Sequence, residues 1–144
     1  MRGHRLAILQ RLTDAVVASE RARDQRMPIG HALLLVARTA DSCRPGGQDE
    51  TRALGAALYH LTVGQPAGKS KPTTVVDFYP RRLEQIVLAA AAGEYSEPAG
   101  LARDLYGFAA ERGLMLSTAG LARYLERVIA ITELADTDPI ELAG

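Results

Sequence analysis

An all-α fold is predicted for this chain, and three observations predict it. Apolar residues recur at spacings of three and four through six successive stretches, the period of an amphipathic helix. Alanine and leucine supply most of the apolar mass, while aromatics are 5% of residues and Trp is absent. A β-sandwich would want Val, Ile, Tyr and Phe in alternation, and no convincing strand pattern appears. The 144 residues suit a single helical domain. Two sub-bundles, 1–64 and 74–135, sharing a core and joined by a loop at 64–74, are the variant of that organisation. A chain of this length buries roughly two-thirds of its unfolded surface and needs no covalent staples.

The first helix is expected over residues 3–26, with Leu6, Leu9, Leu12 and Val16 as its stripe. Gln10, Asp14 and Arg21 lie opposite, with Arg11 at the edge. Pro28 then opens a second helix over 29–42, a position that proline tolerates. Ile29, Leu33, Val36, Ala37 and Ala40 form its inner face, and Leu34 and Leu35 widen the apolar surface. That breadth predicts a helix at the centre of the core. Arg44-Pro45-Gly46-Gly47 breaks the chain. Asp49 is expected to cap a third helix striped by Leu54, Leu58 and Leu61. A fourth helix begins between Thr74 and Pro80 and ends near Gly93, with Leu83, Ile86, Val87, Ala90 and Ala91 inside. Val75 and Val76 either start it or form an extended entry. Ser96 is expected to cap the fifth helix, which Gly113 ends, and Ser117 the sixth. The tail from Asp136 either frays or docks through Ile140 and Leu142.

Composition excludes several chemistries. Cys43 is the only cysteine, so neither an internal disulfide nor a Cys-based zinc site forms, which fits a reducing cytoplasm. A packed thiol is the expected role of Cys43. No signal peptide or membrane span is read, because the longest apolar run, around Ala32 to Ala37, is far too short. His4, His31 and His60 share no metal-ligand spacing, and no Gly-x-Ser-x-Gly elbow is present. Gly64-Gln65-Pro66-Ala67-Gly68-Lys69-Ser70 imitates a phosphate loop after the strand-like run Leu58 to Val63. It has one residue too few between its glycines, and Lys71-Pro72 opposes the helix that must follow. A mobile basic loop is the better reading, carrying Lys69 and Lys71, the only lysines of the chain. No enzyme activity, cofactor or metal is expected.

Charge placement carries what functional signal remains. Net charge is zero, yet Arg2, Arg5, Arg11, Arg21, Arg23 and Arg26 crowd the start, while Glu133, Asp136, Asp138 and Glu141 close the chain without a basic residue. That asymmetry points to a polyanion or to head-to-tail contact between copies. Ala99-Gly100-Leu101-Ala102-Arg103-Asp104-Leu105 returns as Ala119-Gly120-Leu121-Ala122-Arg123-Tyr124-Leu125, with each arginine turned away from its leucines. If folding gathers Arg11, Arg21, Arg23, Arg26, Lys69, Lys71, Arg81, Arg82, Arg103 and Arg123, they form a patch that tracks the backbone of RNA or single-stranded DNA. Base-stacking aromatics are sparse, so phosphate contact without sequence reading is expected. One alternative is a helix-turn-helix regulator built from 97–112 and 117–134, presenting Thr118, Arg123 and Arg127 to the major groove. Another is a structural or adaptor protein without nucleic acid.

Six helices, about 140 residues, an arginine-bearing first helix and no catalytic motif resemble the small helical subunit of CRISPR effector ribonucleoprotein complexes. That resemblance, which rests on size, helix count and charge, implies a non-catalytic subunit. It implies copies stacked head to tail beside the guide RNA or the target strand, in contact with other protein subunits.

Overall fold

In the computed structural model, residues 2–22, 27–43, 47–68 and 70–135 are described, with side chains for all of these except 2–5, 19–22, 129 and 131–135. Seven helices run through the described residues in chain order. They are α1 (Arg2–Ala22), α2 (Ile29–Ser42), α3 (Gln48–Val63), α4 (Pro72–Val75), α5 (Arg81–Ala91), α6 (Pro98–Glu111) and α7 (Thr118–Ala135). No strand occurs among the described residues, and the bundle is all-α as the periodicity predicts. The predicted end of the first helix near residue 26, the break at 44–46 and the tail from 136 lie outside the described residues.

The hub is α2. Its residues Ala32, Leu33, Leu34, Leu35, Val36, Ala37 and Ala40 are all buried, because a helix apolar around most of its girth has no stable place at a surface. It packs against α1, α3, α6 and α7, most extensively against α6. Burying Leu33 or Val36 completely contributes about 1.5–3 kcal/mol each relative to exposure. The second hub, α3, touches α1, α2, α4, α5 and α6. One hydrophobic cluster includes Leu9, Leu33, Leu58, Leu83, Phe108 and Val128, so residues from both halves of the chain share a core.

Two glycines mark close approaches between α3 and α5. Gly55 of α3 lies against Ala90 of α5, and a Cβ at Gly55 would stand 2.7 Å from the Ala90 Cβ and 2.8 Å from the Ala91 backbone nitrogen. At the end of α5, Gly93 takes φ +80, and the Arg52 guanidinium of α3 occupies the space a side chain would need. Gln48 Nε2 donates to the Gly93 carbonyl at 2.7 Å, tying the start of α3 to that turn. The α5 and α6 ends close alike. Glu94 N–H reaches the Ala89 carbonyl at 2.9 Å, and Leu114 N–H reaches that of Ala109 at 2.9 Å, with Gly93 and Gly113 left-handed between them.

Several local expectations need correction. The N-cap of α3 is Gly47, whose N–H is accepted by Glu50 Oε2 at 2.9 Å; Asp49 sits inside the first turn, where its charge favours the helix dipole. The N-cap of α6 is Glu97 rather than Ser96, because Pro98 takes the first helical position and holds its predecessor extended. The run Leu58 to Val63 is the last part of α3, not a strand-like segment. The fourth predicted helix starts at Arg81, after Pro80. Val75 ends a separate one-turn helix, α4, and Val76 is extended, so the count is seven rather than six. Glu84 on α5 secures α4 by accepting the Thr73 N–H at 2.8 Å and the Thr73 hydroxyl. Ser117 caps α7 as expected, its Oγ accepting the Gly120 N–H at 3.0 Å.

Candidate nucleic-acid interface

The cations singled out by sequence divide among separate helices. Arg11 is exposed on α1, Lys71 at the start of α4, Arg81 and Arg82 on α5, Arg103 on α6 and Arg123 on α7. None of them forms an ion pair with a carboxylate among the described residues. The side chains of Arg21, Arg23, Arg26 and Lys69 lie outside the described residues. The described cations do not meet on one face. α3 touches both α1 and α5, which do not touch each other, and α7 packs on α1 and α2 alone. Two groupings result. Lys71 and Arg81 both act on Glu84, whose carboxyl is held below its usual range first by the Thr73 hydroxyl. Arg82, one residue further, acts on Tyr95. Arg11 and Arg123 belong to two helices in mutual contact, but neither lines the cleft those helices form with α2, whose one cation is Arg38.

Arg38 was not singled out by sequence. It is the lone basic residue of α2, and its guanidinium donates to the Thr118 hydroxyl at 3.1 Å. It forms part of the wall of a cleft of about 300 Å³ between α1, α2 and α7. Ile8, Leu12, Leu35, Leu121 and Leu125 give that cleft an apolar lining. The two copies of the repeat diverge here. Ala102 is buried on the inner face of α6, whereas Ala122 is exposed along the cleft. Asp104 accepts the Tyr95 hydroxyl at 2.5 Å, whereas its counterpart Tyr124 is buried and stacks on His31 with ring centroids 5.1 Å apart. Burial, and then the Arg127 guanidinium, hold the His31 imidazole below its ordinary pKa, which favours the neutral ring.

A second residue that sequence reasoning missed is Phe78. It is fully exposed and takes φ +62, the only positive φ outside glycine among the described residues. It lies between the half-buried Val76 and the buried Tyr79. The Tyr79 N–H closes the turn on the Val76 carbonyl at 3.4 Å. The Tyr79 hydroxyl lies 2.7 Å from that of Thr62, and burial pushes it up to about 12.

The phosphate-loop look-alike takes a different form. Gly64 is the left-handed cap of α3, and the Tyr59 hydroxyl donates to the Ser70 carbonyl at 3.0 Å, pinning the loop to α3. The helix that follows has four residues. Cys43 is buried at the end of α2. Among the described residues no three His, Cys, Asp or Glu side chains gather as metal ligands would. No described helix is long and apolar enough to cross a membrane.

The helix-turn-helix alternative requires the two helices to brace each other. Among the described residues α6 and α7 make no helix–helix contact: the α6 stripe packs on α2, α3 and α5, and the α7 stripe on α1 and α2. The turn glycine at Gly113 is present, but the two-helix unit is not.

These observations define the class, an all-α helical bundle with exposed cations on several outer faces among the described residues and an apolar cleft on the α1/α2/α7 side. No protein-family model, curated protein or solved structure matches this chain.

Proposed function

We propose that this protein is a non-catalytic helical subunit of a cytoplasmic, nucleic-acid-containing assembly. It contacts the backbone of RNA or single-stranded DNA through its arginines and packs against copies of itself. One observation carries the reading: Arg11, Lys71, Arg81, Arg82, Arg103 and Arg123 are all exposed, and none makes a close ion pair with a described carboxylate, although Lys71 and Arg81 lie near Glu84. Stability gives these cations little reason to be there. Arg81 and Arg82 even occupy the first turn of α5, where the helix dipole disfavours positive charge. Phosphates would release counterions on meeting them, so affinity would fall steeply with salt. Self-association draws on the cleft. Arg38 in its wall suits the stretch Asp136, Asp138 and Glu141 of a second copy, whose Ile140 and Leu142 match the apolar lining. Head-to-tail stacking of this kind agrees with the resemblance to CRISPR small subunits.

Filter binding of labelled RNA and single-stranded DNA across a salt series tests this reading. Binding at low salt that weakens with added salt is the expected result. Replacing Arg81 and Arg82 by Ala is expected to lower the log–log salt slope by about 1.4, at about 0.7 per phosphate contact on a single strand. Absence of low-salt binding would overturn it. The cleft supports a second reading, a structural adaptor without nucleic acid, which predicts salt-insensitive self-association in sedimentation and no affinity for polyanions.

A further inference from the structure

We infer that the α4–α5 corner is a base-stacking site for single-stranded nucleic acid, with Phe78 as the platform and Lys71, Arg81 and Arg82 as its phosphate contacts. The inference rests on the proposed nucleic-acid reading and gives it a place on the surface.

The argument begins with where the chain puts an aromatic ring. Phe78 is one of only two phenylalanines in the sequence. The other, Phe108, is buried at the centre of the core. A phenylalanine left wholly in water forgoes the burial that ordinarily places it inside. Phe78 does so at φ +62, in a turn position that glycine or asparagine ordinarily fills. Residues on either side of the turn fix the geometry. Val76 is half-buried and Tyr79 is anchored to Thr62 on α3, so the turn between them holds its ring outward rather than trailing it on a loose strand. Backbone strain spent on displaying a side chain is the signature of a site rather than of a scaffold.

The surroundings specify the ligand. Lys71 and Arg81 share the neighbourhood of Glu84, and Arg82 follows Arg81 on the first turn of α5, three to four residues from Phe78. Asp77 and Glu84 oppose them, Glu84 being engaged by Thr73, and Arg82 is shared with Tyr95, beside Asp104 and Glu94. The corner therefore sets Lys71, Arg81 and Arg82 within seven residues of one exposed π-face, with the Glu84 carboxylate turned to Thr73. A protein hot spot would surround the ring with apolar contacts that exclude water. Here Thr73, Thr74, Asp77, Arg81 and Arg82 are all exposed and polar. An aromatic face beside cations is instead the pairing used to hold unpaired bases along a phosphate backbone, where stacking tolerates any base. A duplex does not fit this chemistry, because its base faces are already stacked on one another.

Fluorescence anisotropy of a labelled oligouridylate 12-mer with the full chain tests the inference, together with ultraviolet crosslinking and peptide mapping. Phe78→Gly relaxes the left-handed position and so preserves the fold while removing the ring. It is expected to weaken binding about tenfold or more without changing the salt slope, with Phe78→Leu close behind it and Phe78→Trp at or above the parent affinity. The crosslink is expected on the peptide containing Phe78. Parent-like binding by Phe78→Gly, or a crosslink elsewhere, overturns this site while leaving the arginine reading standing. No low-salt binding by the parent protein overturns both. Loss of self-association in Phe78→Gly without any oligonucleotide binding reassigns the corner to a protein contact and overturns the inference.

Discussion

Thr13 sits on α1 with no exposed surface, and its hydroxyl oxygen has no hydrogen-bond partner, alone in this among the described residues. A buried hydroxyl without a partner forgoes its hydration for nothing in return. Thr13→Val keeps the branched shape and removes the polar atom. It is expected to stabilise the protein by about 1 kcal/mol, seen as a rise of about 2–4 °C in thermal melts. A fall in melting temperature would mean that the hydroxyl has a partner after all. Single residues also mark the edge of what the sequence could tell. The leucines Leu33, Leu54, Leu58, Leu83, Leu101 and Leu105 are wholly buried, as their periodicity requires. Phe78 and Arg38 escaped notice because nothing local distinguishes a ring displayed by an anchored neighbour, or a guanidinium reaching a hydroxyl 80 residues away. Arg103 and Arg123 are exposed as their repeat predicts, yet their neighbours Asp104 and Tyr124 engage wholly different partners.

Between elements, the contact of α3 with α5 is set by the missing side chain of Gly55. Gly55→Ala would gain up to about 1 kcal/mol of helix propensity. Against that stands a Cβ 2.8 Å from the backbone of Ala91, and overpacking of this kind costs about 1–3 kcal/mol. The clash wins because the obstructing atoms belong to backbone and cannot swing aside. Gly55→Ala is therefore expected to lower the denaturation midpoint in urea, and a raised midpoint would show that α5 can move away freely. Helices of two or more turns were legible from period alone, and α2 falls on its expected residues. Caps were legible to within one or two residues, since proline at the first position of α6 and glycine before α3 decide them by backbone geometry. The four-residue α4 was not legible. It spans barely one helical period, too short to show a repeat, and Glu84, eleven residues on from Thr73, holds it in place.

Across the whole molecule, α2 against α6 and α3 against α5 join early chain to late chain around one hydrophobic cluster. Neither 1–64 nor 74–135 encloses its own share of that cluster. Unfolding is therefore expected to be a single cooperative transition, with coincident midpoints by circular dichroism and by tyrosine fluorescence. Amides of α2, α3 and α5 should exchange hydrogen together, at the global rate. Two separated transitions would restore the sub-bundle organisation that the sequence also allows. The distribution of cations belongs to this scale as well. Each arginine's outward direction can be read from a helical wheel. Whether two of them are neighbours depends on how the helices cross, and no single stretch of sequence encodes that. Folding leaves Arg11 and Arg82 on helices that never touch and brings Lys71 and Arg81 to one carboxylate.

The centrality of α2 bears on how the chain is born. Its largest partner, α6, starts roughly 55 residues after α2 ends. At about 5–20 residues per second, a ribosome emits α2 roughly 3–11 seconds before α6. Throughout that interval only α1 and α3 are available to cover α2, so the apolar face that α6 later takes stays open on the nascent chain. That face is the surface chaperones would meet and the one prone to aggregate if synthesis stalled.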